Sequence, residues 1–247
     1  MINGEATPSG LVSLCFDAND PLRLAQFWAA ALRWEIDVES DSEIALVPTD
    51  DTRFGILFEQ VPEKKTGQNR IHLDLTTTSM GDQQETVETL LELGARDINI
   101  GQHPEDGHVV LADPEGNEPC ILEPGNSFLA GTERLGAINC DGTRNVGQFW
   151  SSALGWPLVW DQYDETAIRA PDGTGPLVTW SGPPSIPKNG KNRMHLDIAP
   201  TKLNSQQAEV DRLIVLGANR IDIGQGEVSW VVMADPDDNE FCVLTAR

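Results

Sequence analysis

The chain repeats itself, and that constrains its fold more than any other feature. "NRIHLDL" at Asn69–Leu75 returns as "NRMHLDI" at Asn192–Ile198, 123 residues later. "LGARDINIGQ" from Leu93 is answered by "LGANRIDIGQ" from Leu216, and "VVLADPEGNEPCIL" at 109–122 by "VVMADPDDNEFCVL" at 231–244. "AQFWAAAL" at 25–32 is answered by "GQFWSSAL" at 147–154. An offset held at 122 or 123 means two halves that align almost without gaps. Such a period is too long for a solenoid unit and fits a tandem domain. The halves are expected at 1–127 and 131–247, joined through the Gly-containing polar stretch from Glu123 to Gly136.

Each half divides again. Residues 11–18 alternate as a strand does. A helix follows, with Asp20 as its cap, Pro21 at its first position and Leu24, Phe27, Trp28 and Ala31 as its apolar stripe. Short strands are expected near 34–38, 43–47 and 54–59. The pattern restarts with a strand at 70–76 and a helix near 82–93. Asp82 and Glu85 read as its capping box and Gly94 as its stop. Strands near 96–100, 108–112 and 118–123 complete the unit. In the second half the helices fall near 143–154 and 205–216. The order is βαβββ, four times in all, an α+β protein.

Charge excludes some partners. With 39 acidic and 17 basic residues the formal net charge is −22, which repels nucleic acid and anionic membrane surfaces. No apolar stretch has the length of a membrane span, and the first residues lack the pattern of a signal peptide. The expectation is a cytoplasmic protein whose cysteines, Cys15, Cys120, Cys140 and Cys242, stay reduced. Cys120 and Cys242 occupy equivalent places in the repeat. Cys15 and Cys140 do not, and are assigned to packing.

Strand alternation puts His72 and Asp74 on one face with Arg70, and His195 and Asp197 on one face with Arg193. A His and an Asp two residues apart can orient one another. That suits a general base, a ligand anchor or half a metal site. The plainer reading, which is the one preferred for each His, is a polar network that fills the floor of the fold and is retained by both copies. "DPEGN" and "DPDDN" lack calcium-loop spacing and spell tight turns. Among the seven tryptophans, Trp28 and Trp150 belong to helix stripes, while Trp156, Trp160, Trp180 and Trp230 lie on or beside strands where some can line a pocket.

Four βαβββ units, with "HLDL" or "HLDI" opening the even ones and "DPEGNE" or "DPDDNE" before their last strands, resemble the vicinal oxygen chelate superfamily. This group includes glyoxalase I, bleomycin-resistance proteins and extradiol dioxygenases, and "VPEKKTGQNRIHLDL" resembles its glyoxalase-like domain in particular. The resemblance implies two half-open barrels, each built from two units, with a site on the concave face. It leaves open whether units one and two share a barrel or whether unit one pairs with unit four. Cross-pairing would put Ser13 with His195 instead of His72. The family's metal enzymes carry His on the first strand of each of two units and Glu on the last strand. Those positions fall on Ser13, His72 and Cys120, with Glu59 near an optional fourth, and on Leu135, His195 and Cys242 in the second half. With so few ligands retained, no cofactor is expected. The fallback is a divalent Fe, Zn, Ni or Mn ion on His72, Cys120 and Glu59.

The expectation for function is a protein that binds a small aromatic or polycyclic molecule, without the family's usual metal, in concave pockets lined by Ser13, Glu59, Asp74, Cys120, Asp197 and Cys242. The alternative is an enzyme of lyase, isomerase or dioxygenase type using His72 or His195 as metal ligand or base. A homodimer is compatible with either.

Overall fold

The computed structural model describes residues 7–40, 43–103, 105 and 107–247. The βαβββ order appears four times. The first unit is β1 (Gly10–Ala18), α1 (Pro21–Leu32), β2 (Glu35–Ser40), β3 (Glu43–Val47) and β4 (Gly55–Gln60). The second is β5 (Ile71–Leu75), α2 (Met80–Glu92), β6 (Arg96–Asp97), β7 (Val109–Ala112) and β8 (Cys120–Ile121). The third is β9 (Leu135–Cys140), α3 (Arg144–Leu154), β10 (Leu158–Gln162), β11 (Glu165–Ile168) and β12 (Leu177–Trp180). The fourth is β13 (Met194–Ala199), α4 (Gln206–Leu216), β14 (Asn219–Arg220), β15 (Val231–Ala234) and β16 (Glu240–Val243). Regular pairing at 96–100 and 118–123 is confined to two residues in each stretch.

The pairing of units is crossed. One eight-stranded sheet runs β14-β15-β16-β13-β1-β4-β3-β2 and joins unit four to unit one. The other runs β10-β11-β12-β9-β5-β8-β7-β6 and joins unit three to unit two by the same strand order. The seams are antiparallel: β1 against β13, with Ser13 opposite Asp197 and Cys15 opposite His195, and β5 against β9, with His72 opposite Asn139. Both sheets are open; neither closes into a barrel. Leu14, Phe16, Leu73, Leu196 and Ile198 turn their side chains to the helices, into one apolar cluster shared by both sheets and all four helices. No helix among the described residues is long and apolar enough to cross a membrane.

Helix ends follow local chemistry. Asp20 caps α1 by accepting from Arg23 N, and Pro21 opens the helix. On α2 the cap is Ser79, not Asp82: Ser79 accepts from Asp82 N, while Asp82 reaches back to Thr78 N at 2.8 Å. The capping box therefore lies three residues earlier than expected, because the serine reaches the third helical amide. The repeated "DPxxNE" turns hold the helices of the neighbouring unit. Asp113 accepts from Trp28 Nε1 at 3.0 Å, and Asp235 from Trp150 Nε1 at 3.2 Å.

If the sheets are crossed, neither half has a complete sheet alone. Separately expressed 1–127 and 131–247 should lack a cooperative unfolding transition by circular dichroism and gain one on mixing; independent folding of either half would refute this. A second expectation concerns Asp82. Partial burial opposes its charge, but hydrogen bonds from Thr78 and Arg33, with Arg134 nearby, hold its carboxyl below the ordinary 3.8. Such a group supplies stability that is fully present above its unfolded pKa and is lost as pH falls through the lowered folded value. Asp82→Asn, which removes the charge that strengthens the hydrogen bonds from Thr78 and Arg33, should cost about 1 kcal/mol at pH 7, and urea titrations should show the difference vanishing at strongly acidic pH.

Candidate functional site

The two sheet faces that turn away from the helices are not equivalent. Unit-four and unit-one strands curl around a cavity of about 690 Å³. Its polar floor holds Ser13, Glu59, His195, Asp197 and Cys242; Phe54, Leu57, Trp230 and Val232 supply apolar wall. On the other sheet, His72, His108 and Cys120 border a cavity of about 260 Å³. The rest of that face is filled. Leu129, from the segment joining the halves, packs with Ala137, Ala167 and Leu177, and Trp160 packs against them. Phe128 meets Trp160 edge-on, with ring centroids 5.7 Å apart.

The floor of the larger cavity is a buried polar cluster. Ser13 Oγ donates to Asp197 Oδ2 at 2.8 Å. His195 Nε2 lies 3.2 Å from Asp197 Oδ1, an ion-pair approach, yet neither His195 Nδ1 nor Asp197 Oδ1 has an aligned hydrogen-bond partner. His195 is only 7% exposed and Asp197 4%. Leaving such atoms unsatisfied costs about 1–3 kcal/mol each, so this is a place for a ligand, a water or an ion. Burial pushes the Cys15 thiol up to about 12. Burial works against charge on His195, but the neighbouring Cys15 and the close approach of Asp197 outweigh it and move the imidazole above its usual 6.5.

The other cluster is looser. His72 Nε2 is 3.5 Å from Asp74 Oδ1, and the His72 side chain is 35% exposed. Burial raises the Asp74 carboxyl, against the lowering influence of His72 and of a hydrogen bond from Asn139.

Several sequence expectations change here. Glu59 lines the cavity of His195, whereas His72 and Cys120 border the other, so the fallback set His72, Cys120 and Glu59 is split between sheets. The counterpart of Ser13 is Ala137, not Leu135: Ser13 faces Asp197 as Ala137 faces Asp74. The link from strand to helix is shorter in the second half, which shifts the offset locally. By the same register the counterpart of Cys15 is Asn139, and Cys15 belongs to the site instead of to packing alone. Among the described residues, Cys15, His195 and Asp197 bring three ligand atoms within 4.8 Å of one another. Sequence comparison missed Cys15 because only pairing across 180 residues brings it to His195. Trp230 lines the cavity as a pocket residue, while Trp180 is buried core.

The hard-metal set implied by the resemblance does not fit either face. Ser13 stands where a His is needed and already donates to Asp197. Ala137 is no donor, and Cys242 and Cys120 replace the Glu.

A family model described as a glyoxalase-like domain matches residues 13–122 and again 137–244. A Caenorhabditis elegans protein, "Glyoxalase 1", is 23% identical over 143 residues, covering 56% of this chain and 50% of that protein, so the chain spans about half the length of this relative. Zea mays glyoxalase I superposes with a TM-score of 0.65 at 13% identity, over 96% of this chain and 92% of that one. A Bacillus subtilis protein of suggested dioxygenase activity gives 0.60 at 13% identity, over 96% and 85%. At these identities the two structures share the fold.

All four cysteines are buried and free. Native protein should therefore react with a disulfide reagent such as DTNB at less than about 1% of the rate of the denatured chain, because thiolate and access are both needed. Four thiols should titrate after denaturation; fewer would mean a disulfide.

Proposed function

Since the chain belongs to the glyoxalase-like domain family of the vicinal oxygen chelate superfamily, we propose that it binds a small molecule in the cavity shared by units one and four. The observation that carries this reading is the pairing of a drug-sized cavity, about 690 Å³, with unsatisfied polar atoms at its floor. Specific small-molecule sites combine largely apolar walls with a few placed polar groups. Trp230 offers a flat face for a ring, and His195, Asp197 and Ser13 offer donors and acceptors at the closed end. The reading places the principal site on His195 and not on His72. It does not use the His and Glu set of the metal enzymes.

A second reading is enzymatic, and the His195–Asp197 pair favours it. An imidazole oriented by a buried carboxylate, 3.2 Å away, is suited to moving a proton at a bound substrate. The relatives' names are those of enzymes, and a lyase, isomerase or dioxygenase would use the same cavity.

A thermal-shift and Trp-fluorescence screen with a chelator present tests the binding reading. Compounds that bind should lose at least about tenfold in affinity, or 1.4 kcal/mol, in His195→Ala and in Trp230→Ala, with the fold intact by circular dichroism. His72→Ala should leave affinity within about twofold. The reverse pattern would move the principal site to the other sheet. Turnover of a bound compound that disappears in His195→Ala would put the enzymatic reading first.

A further inference from the structure

We propose that Cys15, His195 and Asp197, with Cys242 beside them, form a site for a thiophilic divalent cation of the zinc class at the floor of the larger cavity. This is not the set that the family resemblance implies. Only His195 is shared with that set as a ligand: Cys15 and Asp197 have no part in it, and Cys242 stands where it has Glu.

The argument starts from register. Cys15 and His195 are direct partners across the β1–β13 seam, and Asp197 and Cys242 are partners across β13–β16. Side chains of residues paired in this way leave the sheet on the same face. The ligand atoms of Cys15, His195 and Asp197 consequently gather within 4.8 Å, without an ion to draw them together. Cys242 lines the same cavity and interacts with His195. Tetrahedral zinc has bonds of about 2.0–2.1 Å to nitrogen or oxygen and 2.3 Å to sulfur, so its ligands stand roughly 3.3–3.8 Å apart. The 3.2 Å between His195 Nε2 and Asp197 Oδ1 is close to one such edge.

Two further observations point to an occupant. Asp197 Oδ1 and His195 Nδ1 are buried without a hydrogen-bond partner. Glu59 also lines this floor, adding a second carboxylate that a cation would neutralise. Donor chemistry selects the ion. One or two sulfurs with one imidazole favour zinc-like ions over magnesium or manganese, which prefer oxygen. The other sheet has Asn139 in place of Cys15, so its cluster lacks the sulfur that completes the set. On binding, the S–H bond of Cys15 breaks and an S–metal bond forms, and the proton leaves to buffer.

The proposal is separate from the small-molecule reading, because that screen runs in chelator. Full-length protein without a His tag, stripped by chelator under reductant, is titrated with Co²⁺ and then Zn²⁺. One Co²⁺ per chain is expected, with a near-ultraviolet thiolate-to-metal charge-transfer band that Zn²⁺ abolishes. At least one proton should be released per ion. Mg²⁺ and Mn²⁺ should not compete. Cys15→Ser should lose at least half of the band and weaken Zn²⁺ by more than about 100-fold, beyond what loss of an outer-sphere partner causes. His72→Ala should change neither. Absence of the band in the wild-type protein would overturn the proposal, whether or not Cys15→Ser folds. Zn²⁺ affinity unchanged in a folded Cys15→Ser, or equal competition by Mn²⁺, would also overturn it.

Discussion

Everything in this molecule depends on two antiparallel seams, β1 with β13 and β5 with β9. Each seam joins a strand of one half of the chain to a strand of the other. The β1–β13 seam joins strands from near the two ends of the chain, with Cys15 opposite His195, whereas β5–β9 joins consecutive units, and non-local pairing of this kind carries a loop-closure cost. Burial of the apolar cluster shared by both sheets offsets it, and paired cations fix how the units meet at the seams. Arg70 donates to Asp141 at 3.0 Å and to the carbonyl of Asp237 at 3.0 Å. Its repeat equivalent, Arg193, donates to the carbonyl of Asp17 at 2.6 Å and to Glu115 at 2.8 Å. Each arginine thereby touches two other units. In a chain of charge −22, these few cations are placed against buried carboxylates, where a bidentate, delocalised group is worth most.

The same interlock explains why particular words of the sequence recur. Asn69 donates to Asn117 at 2.9 Å, and Lys65 pairs with Glu118 at 2.5 Å. In the second copy Asn192 approaches Asn239 at 3.4 Å, and Lys188 pairs with Glu240 at 2.7 Å. Glu115 accepts from the backbone of Asn19 and Asp20 just before α1, as Asp237 accepts from Thr143 just before α3. "NR" and "DPxxNE" are thus two halves of one joint. They repeat because the joint is built twice.

This sets what could be read before the fold was known. Element order, helix stripes and the outward pointing of His72 and His195 were legible, because they rest on local periodicity. Unit pairing was not, since both arrangements satisfy the same strand patterns. Cys15 was hidden by that ambiguity: only the crossed seam brings it opposite His195. Ser13 was found by the resemblance, but its counterpart was misplaced by two residues because the connection before α3 is shorter. The filling of the second face by Leu129 lay in a stretch rich in Gly and polar residues, where periodicity gives no signal.

Repetition and function therefore separate in this chain. The joint residues are duplicated nearly letter for letter, while the faces diverge: Ser13 against Ala137, Cys15 against Asn139. On one sheet the divergence leaves a wide cavity over a buried His195–Asp197 floor. On the other, Leu129 and Trp160 occupy much of the corresponding space. Apolar filling contributes stability through buried area, whereas an open cavity with unsatisfied polar atoms costs stability. A duplicated fold that fills much of one face and keeps the other widely open retains that cost on one sheet only. That is the physical ground for the proposal that the principal site lies at His195 and not at His72, although the family model matches both copies.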